Sequence, residues 1–340
     1  MEPLSFFSQT RVLIVTGKGG TGKTTVCGVM ANLAAKEGLR ALVVQVATAS
    51  DRLEPEAANL SHLFGRDEVL AYDEMALATG PTGGEVRARA LRPDTALVEY
   101  LHLHGMRRLS RRLVSTGALD VVATAVPGMP DMLVLGKVKQ MERAAAAGSP
   151  GAPELILLDA PAAGHAVRFL QSPHGLLEAA SGGPVRNQAR EVVDMLSDPD
   201  RCQAVLVTTP EETPVSETVE TAQLLEDRAG IKLCAVVVNA RLPVLPLPEY
   251  FEAATLSELA AGAGVTLAPA ELESLIVAGK LRLERQGAQA AQVVRLAEEL
   301  PLPQLELPFC FSADLGPDQL GALTDALGRS VAGWQPVELP

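Results

Sequence analysis

Short β-branched and apolar runs alternate with longer stretches of helical pattern along this chain. The clearest apolar runs lie at 11–16, 41–46, 154–159, 204–208 and 235–239, with a shorter one at 304–307. Alternation of this kind predicts an α/β fold: a doubly wound, mostly parallel sheet with helices on both faces and right-handed crossovers. Ligands of such sheets bind beyond the carboxyl ends of the strands. The rhythm changes twice. Residues 51–151 read as a mainly helical insertion on one sheet edge, with helices at 97–104, 106–114 and 131–147. Residues 243–300 read as a second, with helices at 256–261, 270–278 and 281–300 behind a stiff proline-rich entry. Residues 1–340 are therefore expected to form a single domain carrying two helical insertions. Neither insertion has a repeat period, which argues against a solenoid.

Composition narrows the class. Hydrophobic residues make up 47% and charged residues 21%, enough for a sizeable core, and aromatics at 3% leave that core to Ala, Val and Leu. A formal charge of −12 argues against a general nucleic-acid surface. The basic cluster Arg107, Arg108, Arg111 and Arg112 reads first as a solvated helix face and second as a contact for an acidic partner. The four cysteines are far apart and form no C-x-x-C pair, so neither a zinc clamp nor a thioredoxin-type site is expected. Residues 1–10 lack the basic and apolar segments of a secretory leader, and no stretch approaches the ~20 apolar residues of a membrane span. A cytoplasmic location is the expectation.

The chemistry concentrates after the first apolar run. Gly17-Lys18-Gly19-Gly20-Thr21-Gly22-Lys23-Thr24-Thr25 lies between that strand and a helical segment at 26–37, the context a phosphate-binding loop requires. Glycines allow loop amides to converge on an anion, and the following helix adds the positive end of its dipole. Lys23 would contact the β- and γ-phosphates, and the Thr24 hydroxyl would ligate magnesium. Lys18 is an additional lysine beside the cradle, placed to neutralise a leaving phosphate on its own or a neighbouring subunit. The apolar strand ending in Asp159 supplies a carboxylate for magnesium, directly or through water. Gly164 and His165 follow in a loop of small residues suited to a conformational response to the γ-phosphate. Asn239 ends another strand; its amide suits an adenine edge, and equally a turn. Backbone at Pro308 and Phe309 could wall the base.

Together, GKGGTGKTT at 17–25, DAPAAGH at 159–165 and VVVNA at 236–240 resemble one family. It comprises the arsenite-pump-type ATPases and their relatives that target tail-anchored membrane proteins, within the deviant-Walker P-loop ATPases. The resemblance is nearest to the bacterial anion-transporting ATPase branch, where the segments at 127–131, 136–139, 184–188 and 212–218 also look familiar. It covers residues 11–315. It implies ATP or ADP with Mg2+, held by Lys23 and Thr24, with Asp159 acting on the metal through water. It also implies that Lys18 reaches a partner's nucleotide, that Gly164 and His165 form a second switch, and that Asn239 and the backbone after Leu307 hold adenine. Family members close around ATP as dimers, so a homodimer or a heterodimer with a paralogous ATPase is expected. An unidentified protein or membrane-associated client is expected as well, and nucleic acid is not.

Two departures qualify the resemblance. The family's first switch carries D-P-A-H, and here Ala47 stands where its water-orienting Asp should be. Gln45, Asp51 or Asp131 could substitute; otherwise ATP acts mainly as the ligand of a slow, nucleotide-gated chaperone or adaptor. The missing cysteine pair speaks against a zinc-bridged dimer and an arsenite site. Chromosome- and septum-partitioning ATPases share the Lys18 loop, but residues 321–340 carry Arg329 as their one basic residue, a poor match to a DNA-facing or membrane-seeking tail.

Overall fold

The computed structural model describes residues 2–46, 60–103, 105, 107–116, 127–245 and 252–333. Its centre is an eight-stranded sheet of order β3-β4-β2-β5-β1-β6-β7-β8. The strands are β1 Val12–Gly17, β2 Arg40–Val46, β3 Met75–Thr79, β4 Glu85–Leu91, β5 Leu155–Asp159, β6 Cys202–Thr208, β7 Leu233–Arg241 and β8 Gln304–Pro308. All neighbours are parallel except β3, which runs antiparallel to β4 at one edge. Twelve helices are described: α1 Pro3–Phe7, α2 Lys23–Lys36, α3 Leu60–Leu63, α4 Pro93–Leu103, α5 Arg107–Thr116, α6 Met129–Ala146, α7 Ala163–Ala179, α8 Pro184–Leu196, α9 Glu212–Ala229, α10 Ala253–Gly262, α11 Pro269–Glu299 and α12 Pro317–Gly333. This is the doubly wound, mostly parallel α/β sheet that the alternation predicts, in the P-loop NTPase form that the loop at 17–25 and the resemblance imply.

The central strands are apolar at successive positions because both faces of the sheet are covered. On one face Val12 and Ile14, Leu42 and Val44, Ile156 and Leu158, and Val236 and Val238 pack with α6, α7, α8 and α9. On the other, Leu13 and Val15, Ala41 and Val43, Leu155 and Leu157, and Ala235 and Val237 pack with α1, α2 and α12. Side chains alternate between faces along a strand. Two positions beyond Val43, Leu157 and Val237 stand Gln45, Asp159 and Asn239, so the strand period delivers all three to the α2 face. That parity places the site.

Two sequence expectations are corrected. The segment 51–151 is not helical alone: besides α3, α4, α5 and α6 it contributes β3 and β4, and β4 extends the parallel sheet beside β2. Strand β4 carries Glu85, Arg87 and Arg89 among smaller residues, so it lacks the continuous apolar run that marks the other interior strands. The helices expected at 270–278 and 281–300 are one continuous helix, α11, which runs through Gly279. A mid-helix glycine costs about 1 kcal/mol, too little to break 31 residues of otherwise helical sequence.

Candidate functional site

The loop between β1 and α2 is shaped by close backbone packing. A side chain at Gly17 would place Cβ 2.0 Å from the Val207 carbonyl oxygen of β6, so only glycine lets the chain leave the sheet there. Gly22 is left-handed (φ +87°), and a Cβ there would lie 2.3 Å from Asn239 Nδ2. Within the loop, the Thr21 hydroxyl donates to the Lys18 carbonyl at 2.9 Å. The 14-residue helix α2 begins at Lys23 with no side-chain cap, which leaves its first amides open toward the loop. An uncapped helix end behind a glycine-rich loop suits an anion.

Lys23 and Thr24 open α2 from inside this cradle. Lys23 donates to the Lys18 carbonyl at 3.2 Å. Burial lowers the pKa of its ammonium, against the opposing charge of Asp159. A half-buried cation that donates to one carbonyl fits a phosphate better than it fits a closed structural pair. The Thr24 hydroxyl donates to Asp159 Oδ2 at 2.7 Å, and Gln45 Nε2 donates to the same oxygen at 3.1 Å. Because the Thr24 hydrogen is committed to Asp159, its oxygen lone pairs are available to a cation. Burial raises the Asp159 pKa, opposed by the Thr24 and Gln45 hydrogen bonds and the Lys23 charge. A buried carboxylate beside a hydroxyl oxygen is a donor set that suits Mg2+, which prefers hard oxygen ligands and retained waters.

The remaining predicted residues distribute around this centre. Lys18 forms an ion pair with Glu217 on α9 of its own chain. Asn239 donates to the Thr21 carbonyl at 2.9 Å, so its NH2 braces the phosphate loop and its Oδ1 is left for another donor. Ala240, directly after it, has φ +57°, and the β7–β8 register shifts there. That irregularity turns the end of β7 toward the loop. Pro308 lines a cleft of about 350 Å³ with Arg241, Pro243 and Arg329 at the sheet edge. The Phe309 amide is committed to the Arg241 carbonyl at 2.8 Å, while its ring packs edge-on against Phe311. Gly19 faces Ala162, just before α7; Gly164 and His165 are exposed in the first turn of that helix. Thr25 is half-buried on α2. Asp131 lies in the first turn of α6, where burial raises its pKa against the charge of Arg168. Ala47 and Asp51 lie outside the described residues.

Sequence reasoning missed Glu217 as the partner of Lys18. The two are 199 positions apart, and no spacing rule links them. It singled out Gln45 for water but not for Asp159; register makes that contact, because Gln45 and Asp159 are direct neighbours across β2 and β5.

Fold and site together define a P-loop protein of the α/β class, with its glycine-rich loop at the carboxyl ends of the central strands. The chain belongs to the Anion-transporting ATPase family, whose sequence profile matches residues 10–181. It is 31% identical to ATPase BagA of Mycobacterium tuberculosis over 313 residues, covering 89% of this chain and 88% of that protein. It is 30% identical over 258 residues to a Halobacterium salinarum protein named "Putative arsenical pump-driving ATPase", covering 71% of this chain and 37% of that one. Among the described residues no helix is long and apolar enough to cross a membrane.

Proposed function

We propose that this chain binds ATP with magnesium and hydrolyses it, cycling between a nucleotide-closed dimer and an open form to handle a client. The observation that carries the reading is the Lys23, Thr24 and Asp159 constellation at the uncapped start of α2. Lys23 and the loop amides hold the phosphates in line. Thr24 and Asp159 would hold the metal, Thr24 through its hydroxyl oxygen and Asp159 through water. Magnesium, when bound, neutralises charge that develops on the phosphates during displacement by water. Lys18 leaves Glu217 and reaches the nucleotide of a second subunit, either a copy or a paralogue. Asn239 keeps its grip on Thr21 and offers Oδ1 to the adenine amino group, with Pro308 and Phe309 beside the base. Gly164 and His165 respond to the γ-phosphate and pass its loss to α7.

Phosphate release from ATP tests this. Wild-type protein should release phosphate faster than buffer when Mg2+ is present. Lys23→Ala should lose nucleotide binding and fall to the buffer rate. A second reading, a nucleotide-gated switch with negligible turnover, draws support from the cis pairing of Lys18 with Glu217. Single-turnover measurement separates the two: nucleotide binding with phosphate release no faster than buffer favours the switch.

A further inference from the structure

We infer that Gln45 is a positioning residue of the magnesium site, acting through Asp159; the inference rests on the nucleotide-site reading above. Gln45 stands at the carboxyl end of β2, in direct register with Asp159 on β5. Neighbours in register on parallel strands present their side chains to the same face, here the face covered by α2. Gln45 Nε2 lies 3.1 Å from Asp159 Oδ2, and Thr24 Oγ1 lies 2.7 Å from the same atom. Two donors on one oxygen fix the rotation of the carboxylate. Oδ1 has no hydrogen bond among the described residues, so it is the oxygen left to face metal-bound water.

The residue type matters as much as its place. Asp159 is almost completely buried, and a second carboxylate at this distance would repel it. An aliphatic side chain would leave Asp159 anchored by Thr24 alone, the group whose oxygen must also serve the metal. A carboxamide donates without charge, and its anchor is independent of the metal. Its own Oε1 accepts no hydrogen bond among the described residues and is available to a water in the same shell. Gln45 thus does for the carboxylate what outer hydrogen-bond partners do for metal ligands generally, where their loss costs about 10–100-fold in metal affinity or activity.

Gln45→Met keeps the length of the side chain and removes its donor. Calorimetric titration with ADP, once in excess Mg2+ and once in EDTA, reads the metal contribution without turnover. For the variant the account expects metal-free ADP affinity within about twofold of wild type, and a Mg2+-dependent gain reduced about tenfold. A variant with the full Mg2+-dependent gain would overturn the assignment. So would one that loses metal-free affinity to the same extent, because that result assigns Gln45 to the shape of the loop. If wild-type ADP affinity is itself indifferent to Mg2+, the nucleotide-metal reading fails first, and the role of Gln45 falls with it.

Discussion

Lys18 is held by Glu217 in its own chain, and this sets a condition on any role toward a second subunit. The two side chains are 31% and 41% exposed, and an ion pair this open to water is worth about 0–1 kcal/mol. A triphosphate presented by a partner carries enough charge to displace it. Lys18→Ala should therefore keep nucleotide binding and lose turnover or dimer closure; wild-type turnover in that variant would end the trans-acting role. Glu217→Gln should leave nucleotide binding unchanged and lower the nucleotide concentration at which dimers appear in sedimentation, by about fivefold at most given the small energy of the pair. At this scale the sequence was only partly legible. Lys23 and Thr24 are set by local spacing on one loop and could be read directly. Contacts such as Lys18 with Glu217, Gln45 with Asp159 and Asn239 with Thr21 arise from strand register and helix packing, which no local pattern encodes.

Among the elements, α6 is tied to the sheet by one carboxylate. Glu142 is 1% exposed, accepts a hydrogen bond from Arg11 before β1 at 2.8 Å, and accepts another from Arg201 before β6 at 2.7 Å. Burial alone would push its pKa up; the two guanidiniums outweigh burial and hold it below the ordinary carboxylate value. A depressed folded-state pKa gives stability that is fully present above the unfolded value, about 4.3, and is lost as pH falls through the folded value. Glu142→Gln leaves two partly exposed arginines without their counter-charge and should cost about 1.5–3 kcal/mol near neutral pH. Urea unfolding should show that deficit shrinking as pH falls below about 4, because the wild-type carboxylate is then protonated too. A pH-independent deficit would show that packing, not charge, ties α6 down. Element by element, β1, β2, β5, β6 and β7 were legible because apolar side chains face both layers, and the edge strand β8 by a shorter run. Strands β3 and β4 were missed: Val86 and Ala88 alternate with Arg87 and Arg89 at the strand period, but so polar a run does not stand out beside the continuous apolar ones. Gly279 suggested a break in α11 that the rest of the helix overrides.

Across the whole molecule, an ordered sheet carries the phosphate loop, and the elements most open to water lie away from it. Helix α11 spans roughly 46 Å at 1.5 Å per residue, and Leu296 is its one buried residue. Leu275, Val277 and Leu281 on α11, with Leu259 on α10, are exposed to solvent. Near its centre Arg282 donates to the Pro243 carbonyl and lies 5.7 Å from the ring of Phe311, beyond β8. The segment after β8, proposed to wall the base, is therefore in contact with the long helix. All of this depends on a phosphate tail entering the cradle above α2. Calorimetric titration of the wild-type chain with ATP and ADP, in Mg2+ and then in EDTA, is the most direct test. Saturable binding of both nucleotides that tightens with Mg2+ is expected; no binding heat and no competition by either nucleotide in both conditions would rule out a nucleotide site here.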